Sequence, residues 1–146
     1  MKRIVTGKAA DGRDTIIAEG TVDPIAGMRG SGNETRLCWA TSDRSRLPHE
    51  GADPVDGGQM TMPAPGESRF VFVTFPPGSV TPMHATPTID CVAVVVGEIW
   101  LVMESGSECR LEVGDSIIQT GTRHAWANRS LQPCTIAAFM MGAERS

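Results

Sequence analysis

Gly78-Ser-Val-Thr-Pro-Met-His84-Ala-Thr86-Pro-Thr-Ile-Asp90 runs into Cys91-Val-Ala-Val-Val-Val96 and stops at Gly97. The chain takes the pattern up again as Gly114-Asp-Ser-Ile-Ile-Gln119-Thr-Gly121-Thr-Arg-His124-Ala-Trp126-Ala-Asn128. Between them these segments hold two of the three histidines. Val, Ile and Thr recur in short runs broken by Gly and Pro, which is the pattern of short strands joined by tight turns. Side chains alternate faces along a strand. Counting in twos from His84 places His84, Thr86, Asp90, Val92 and Val94 on one face, with Ala85, Ile89, Cys91 and Ala93 on the other. Pro87 removes a ladder donor and marks a bend. By the same count His124, Trp126 and Asn128 share a face. A polar set is therefore embedded in apolar strands, and two distant histidines bracket a hairpin with arms Ile99 to Met103 and Glu108 to Val113.

Upstream, Arg69 to Phe75 is a strand with apolar residues at both parities, so both faces are expected to be buried. Pro76-Pro77-Gly78 ends it. Residues 1–39 supply three further strands, Arg3 to Thr6, Thr15 to Glu19 and Glu34 to Trp39, with a turn at Asp11-Gly12. A Gly-rich surface loop is expected over Ile25 to Asn33. Residues 40–68 carry Pro48, Pro54, Pro63 and Pro65 among Gly, Asp and Ser. So long a stretch without periodicity reads as a disordered segment, a lid over a pocket, or an arm laid on a partner subunit. His49 within it reads as a solvated side chain. Downstream, Pro133 to Met141 is the last apolar strand, and Met83 and Trp100 read as packing residues.

At 146 residues the chain has the size of one domain. We divide it into N-terminal strands (1–39), a loop or arm (40–68) and a barrel core (69–141). No window shows sustained helical periodicity, so the class is all-β. The net charge of −4 and the absence of a Lys/Arg run argue against nucleic-acid binding. The longest apolar run, Cys91 to Val96, has the length of a strand and not of a membrane span. Met1 to Gly7 has basic residues with no hydrophobic run behind them, which argues against a secretory leader and sets the cytoplasm as the expected location. In that compartment Cys38, Cys91, Cys109 and Cys134, with no C-x-x-C pair, are expected to be small buried hydrophobes.

The two quoted segments resemble the paired motifs of the cupin superfamily, G-x5-H-x-H-x3/4-E-x6-G and G-x5-P-x-G-x2-H-x3-N. Gly78, His84, Asp90 and Gly97 follow the spacing of the first, and Gly114, Gly121, His124 and Asn128 follow the second. The resemblance implies a double-stranded β-helix, or jelly-roll barrel, with a site in its mouth. It also implies a divalent metal held by three histidines and a glutamate. Here Thr86 stands where the family has its second histidine, and Asp90 where it has glutamate. The segment before Gly121 is one residue short and lacks the proline. His84, Asp90 and His124 remain as the candidate metal ligands and catalytic residues, a two-histidine, one-carboxylate set suited to Fe, Zn, Mn or Ni. The same three residues also suit a metal-free acid–base cluster in which Asp90 orients an imidazole.

Thr86, Gln119 and Trp126 are the candidate substrate-binding residues: a hydroxyl, a strand-end amide and an aromatic wall. Asn128 is expected to fix a turn. The expected function is a small-molecule enzyme working in the barrel pocket, of oxygenase, lyase, isomerase or decarboxylase type. The alternative is a non-catalytic binding or sensor protein that has lost its metal. The resemblance also implies a homodimer, with strand edges and arms covering one another.

Overall fold

The computed structural model describes residues 1–26, 32–42, 45, 47–49, 53–55 and 60–144. Eleven strands follow in order: β1 Lys2–Lys8, β2 Asp14–Thr21, β3 Ile25–Ala26, β4 Glu34–Thr41, β5 Ser68–Phe75, β6 Thr88–Val96, β7 Glu98–Met103, β8 Glu108–Glu112, β9 Ser116–Thr120, β10 His124–Ala127 and β11 Cys134–Gly142. There is no helix among the described residues. Six strands form one antiparallel sheet in the order β3-β4-β5-β11-β6-β9, and three form a second in the order β10-β7-β8. The two wrap around a common core as a double-stranded β-helix. The β1–β2 hairpin forms a separate two-stranded sheet, tied to the rest by Arg3, which pairs with Asp53 and donates a hydrogen bond to the Cys38 carbonyl.

Period-two alternation sets which residues enter the core. On the inner face Val71, Ala138 and Val92 stand side by side across β5, β11 and β6, and Val73, Ile136 and Val94 form the neighbouring row. Ile99, Leu101, Leu111, Trp126 and Cys134 close the core from the second sheet and the strand ends. The hairpin expected after Gly97 is β7–β8, and the last apolar strand is β11. Gly97 joins β6 to β7 with φ of +74°, and a Cβ on it would lie 2.6 Å from the Pro133 carbonyl oxygen. Both the turn and the close approach require glycine. Asn128 fixes its turn as expected: its amide donates to the carbonyls of Phe75 and Gln132 while its Oδ1 accepts from the Ser130 N–H.

Four expectations change. The outer face of β5 is only partly buried: Phe70 is 36% exposed in a hollow it shares with β1 and residues 47–49, and Phe72 is half-buried. Phe70 belongs to an apolar row, Trp39–Phe70–Phe139–Cys91–Ile118, that runs in register across β4, β5, β11, β6 and β9. The cysteines divide: Cys38 and Cys134 are buried, whereas Cys91 is exposed on the outward parity of β6 and Cys109 is exposed although it shares the parity of buried Leu111, and all four are free thiols. Burial pushes the Cys134 thiol up to about 11. The Gly-rich loop is shorter than expected, because Ile25 and Ala26 pair with Thr35 and Glu34, and Asn33 is buried; residues 27–31 lie outside the described residues. His49 is half-buried and meets the Trp39 ring edge-on at 5.0 Å between centroids, so it is not a solvated side chain.

Of the 40–68 stretch, Ala40 and Thr41 complete β4 and Ser68 opens β5. Val55, Met60 and Met62 pack against the core. Trp100 lies half-buried on the second sheet, with the Arg129 guanidinium 4.6 Å above its ring. No described helix is long and apolar enough to cross a membrane.

Candidate functional site

The inner faces of β5, β6, β9, β10 and β11 surround a cavity of about 100 Å³. Its middle is apolar, walled by Val71, Val73, Phe75, Val92, Trp126, Ile136 and Ala138. The polar side chains gather toward the ends. All six sequence-derived candidates, His84, Thr86, Asp90, Gln119, His124 and Trp126, line it.

The two histidines arrive from different elements. His124 opens β10, whereas His84 lies in the segment before β6 and reaches β10 through one isolated bridge. The His84 N–H donates to the His124 carbonyl and the His124 N–H to the His84 carbonyl, both at 2.8 Å. This reciprocal pair sets the rings 4.5 Å apart between centroids, with 49° between planes. Each Nδ1 is tied to a carbonyl two residues back, that of Pro82 for His84 (2.8 Å) and that of Thr122 for His124 (2.9 Å). A carbonyl oxygen only accepts, so Nδ1 carries the proton and Nε2 is the basic nitrogen in each neutral ring. His124 also stands edge-on to Trp126, 5.7 Å away at 83°.

Asp90 projects inward from β6, between Met140 of β11 and Gln119 of β9. Alternation along β6 does this, and Thr88 and Val92 share the face. Asp90 is 8% exposed, and among the described residues its buried Oδ1 has no hydrogen-bond partner. Burial pushes it above the usual carboxylate range, while the Thr88 and Thr86 hydroxyls and the nearby His84 pull the other way. Thr88 Oγ1 donates to Thr86 Oγ1 at 2.8 Å. Gln119 is held by the Thr122 hydroxyl, which donates to its Oε1 at 2.7 Å.

As a test for metal, the two imidazoles fit: a histidine ligand with its far nitrogen tied to a carbonyl is an oriented, basic donor. The Asp90 carboxylate has the right chemistry and an unpaired oxygen, yet among the described residues no three His, Cys, Asp or Glu side chains stand together as a metal-holding group. The fit is thus of two donors, with Asp90 lining the same cavity but not grouped with them.

Sequence reasoning did not find the rest of the lining. Thr35 and Asn33 come from the start of β4 and the residue before it, Thr81 from the segment that runs beside β10, and Met60 from the 40–68 stretch. Thr81 is built in by two bonds: its N–H donates to the Trp126 carbonyl, and its hydroxyl accepts from the Trp126 N–H, both at 2.9 Å. Alternation puts Thr35 and Leu37 on one face of β4, but nothing in the sequence says which face is inward. Asn33 and Met60 sit outside any periodic pattern.

Comparison with known proteins places this geometry. Residues 71–140 match the family described as the cupin domain. A protein described as cupin-domain-containing oxidoreductase fogC, from Aspergillus ruber, is 34% identical over 129 residues, 86% of this chain and 63% of that protein. Phomopsin biosynthesis cluster protein C', from Diaporthe leptostromiformis, is 46% identical over 66 residues, 45% of this chain and 35% of that protein. The chain thus spans from about a third to under two thirds of the length of these relatives. Among solved structures, the polyketide cyclase RemF from Streptomyces resistomycificus aligns with a TM-score of 0.58 at 15% identity, covering 86% of this chain and 82% of that one, a likeness of fold alone. The paired motifs, the double-stranded β-helix and the family match agree: residues 71–140 are a cupin domain.

Proposed function

We propose that the barrel pocket binds a small organic molecule and acts on it as an enzyme through His84, His124 and Asp90. The observation that carries this reading is the histidine pair. Two imidazoles with fixed tautomers face each other on the wall of an apolar cavity that also holds a carboxyl pushed toward its acid form. Groups whose environments push their protonation preferences apart divide into base and acid. Nε2 of one imidazole takes a proton from carbon beside a carbonyl, and the Asp90 carboxylic acid gives its proton to the carbonyl oxygen. The C–H bond breaks, an O–H bond forms, and the enzyme is left as imidazolium and carboxylate. Trp126 and Phe75 wall the reacting group from water. Thr86 and Gln119 orient it.

A divalent ion, Fe, Zn, Mn or Ni, would be held by His84 and His124 with Asp90 as the third donor, and when bound it would supply Lewis acidity or redox chemistry to a carbonyl or enolate substrate. The description of a relative as an oxidoreductase supports testing oxidation alongside proton transfer. That Asp90 is not grouped with the two histidines among the described residues favours a second reading, a binding protein without turnover.

The test is deuterium incorporation at the α-carbon of small aryl ketones and hydroxyaldehydes in heavy water, followed by NMR. It is run as purified and after supplementation with each metal, with plasma mass spectrometry reporting metal content and an oxygen electrode reporting oxidation. His84→Gln and His124→Gln are expected to lose on the order of 10²–10⁴-fold in rate. Absence of both exchange and oxidation across the wild-type series, with the compounds still bound, would move the assignment to binding.

A further inference from the structure

The cavity has a second polar end that the reading above does not use. Asn33 lines it, is 7% exposed, and among the described residues its buried Oδ1 has no hydrogen-bond partner. Among the described residues only three buried side-chain atoms are unpaired, and two of them, Asn33 Oδ1 and Asp90 Oδ1, belong to this one cavity. Leaving a buried acceptor unpaired is costly, and an amide oxygen can only accept, so Asn33 Oδ1 points to an occupant that supplies a donor there.

Their placement gives the occupant its shape. Glu34, next to Asn33, pairs with Thr74 near the end of β5, whereas the row of Asp90 crosses Met140 to reach Arg69 near the start of β5. Asn33 and Asp90 therefore stand at opposite ends of the barrel's inner wall. The wall between them is apolar and includes the Phe75–Trp126 aromatic pair, 6.2 Å between centroids. A flat, apolar body suits such walls.

Resting on the pocket assignment above, we propose that Asn33 is the specificity-determining anchor of this cavity. Its ligand class is a compact aromatic carbonyl compound with a hydroxyl or amine on the side of the ring opposite the carbonyl. The carbonyl end meets the His84–His124–Asp90 group, and the hydroxyl or amine donates to Asn33 Oδ1.

The probes are 4-hydroxyacetophenone, 4-methoxyacetophenone and acetophenone, titrated by calorimetry against the wild type, Asn33→Leu and Asn33→Ser, with thermal melting to confirm that each variant is folded. The wild type is expected to bind the hydroxyl compound about tenfold more tightly than the other two, the worth of one buried hydrogen bond. Asn33→Leu should erase that preference. Asn33→Ser, which keeps a polar group, should retain part of it. His84→Gln should weaken all three probes alike.

Equal wild-type affinities, or a preference that survives Asn33→Leu, overturn the Asn33 assignment and leave the pocket reading intact. No binding of any probe overturns both. The expected preference without α-carbon exchange upholds Asn33 and removes only the enzymatic reading.

Discussion

Asp90→Asn is expected to make the metal-free protein more stable at neutral pH while removing its chemistry. The buried carboxyl leaves Oδ1 unpaired, and burial raises its folded-state pKa above the unfolded value. The sign follows from linkage. A carboxyl whose pKa is raised on folding binds its proton more tightly in the folded state, so stability falls as pH rises from the unfolded value near 3.9 through the folded one, and stays lower above it. Asparagine keeps the shape and the unpaired Oδ1 but carries no charge, so only the part of the penalty that the charge adds disappears. That part is on the order of 1–3 kcal/mol, offset here in part by the Thr88 and Thr86 hydroxyls and by His84. At roughly 2–4 °C per kcal/mol for a chain of this size, the variant should melt several degrees higher at neutral pH. The two proteins should converge below the unfolded carboxyl pKa, where Asp90 is protonated in both states. The assay is thermal melting of chelator-treated wild type and variant from acid to neutral pH. A variant less stable than wild type at neutral pH, or a difference that does not change with pH, refutes the reasoning.

Three further outcomes are expected. Gly97→Ala combines a left-handed backbone, roughly 1–2 kcal/mol for an L-residue, with overpacking against the Pro133 carbonyl, roughly 1–3 kcal/mol, so its urea midpoint should fall by the equivalent of about 2–5 kcal/mol with m unchanged. Asn128→Ala removes the partners of two carbonyls and one N–H at a site 1% exposed, and should lose about 2–4 kcal/mol in the same assay. The in-register outer row of Trp39, Phe70, Phe139, Cys91 and Ile118 is a contiguous apolar surface of the kind that marks an interaction site. We expect it to hold a homodimer, with Phe139→Lys shifting the mass by light scattering from dimer to monomer; a wild-type monomer would refute this.

Much of the fold was legible because a strand's period is two. Counting from His84 put Thr86, Asp90, Val92 and Val94 on the inner face, and they are there. The count worked although His84 itself lies outside β6 in an isolated bridge, because the bend at Pro87 kept its parity. Placing His124 beside His84 depended on a pairing between residues forty positions apart, which only the resemblance supplied. The outer face of β5 misled for a physical reason: Phe70 and Phe72 are as apolar as the core residues Val71 and Phe75, and composition does not record whether a face meets the barrel interior or a surface left open. Asn33 and Met60 were out of reach because they enter the cavity from segments with no periodicity, where position is set by tertiary packing.

The reciprocal pair of peptide bonds between His84 and His124 has a consequence beyond positioning two rings. It is a latch. The segment from Ser79 to Pro87 lies along β10 through a few such contacts, and the His84–His124 pair is the last of them before β6 begins. The peptide groups that fasten this segment belong to the same residues whose side chains we propose act in the cavity. A molecule held by both imidazoles would steady these two hydrogen bonds, and tighter binding is expected to slow amide hydrogen exchange at both positions. Occupancy is then readable from two amide protons.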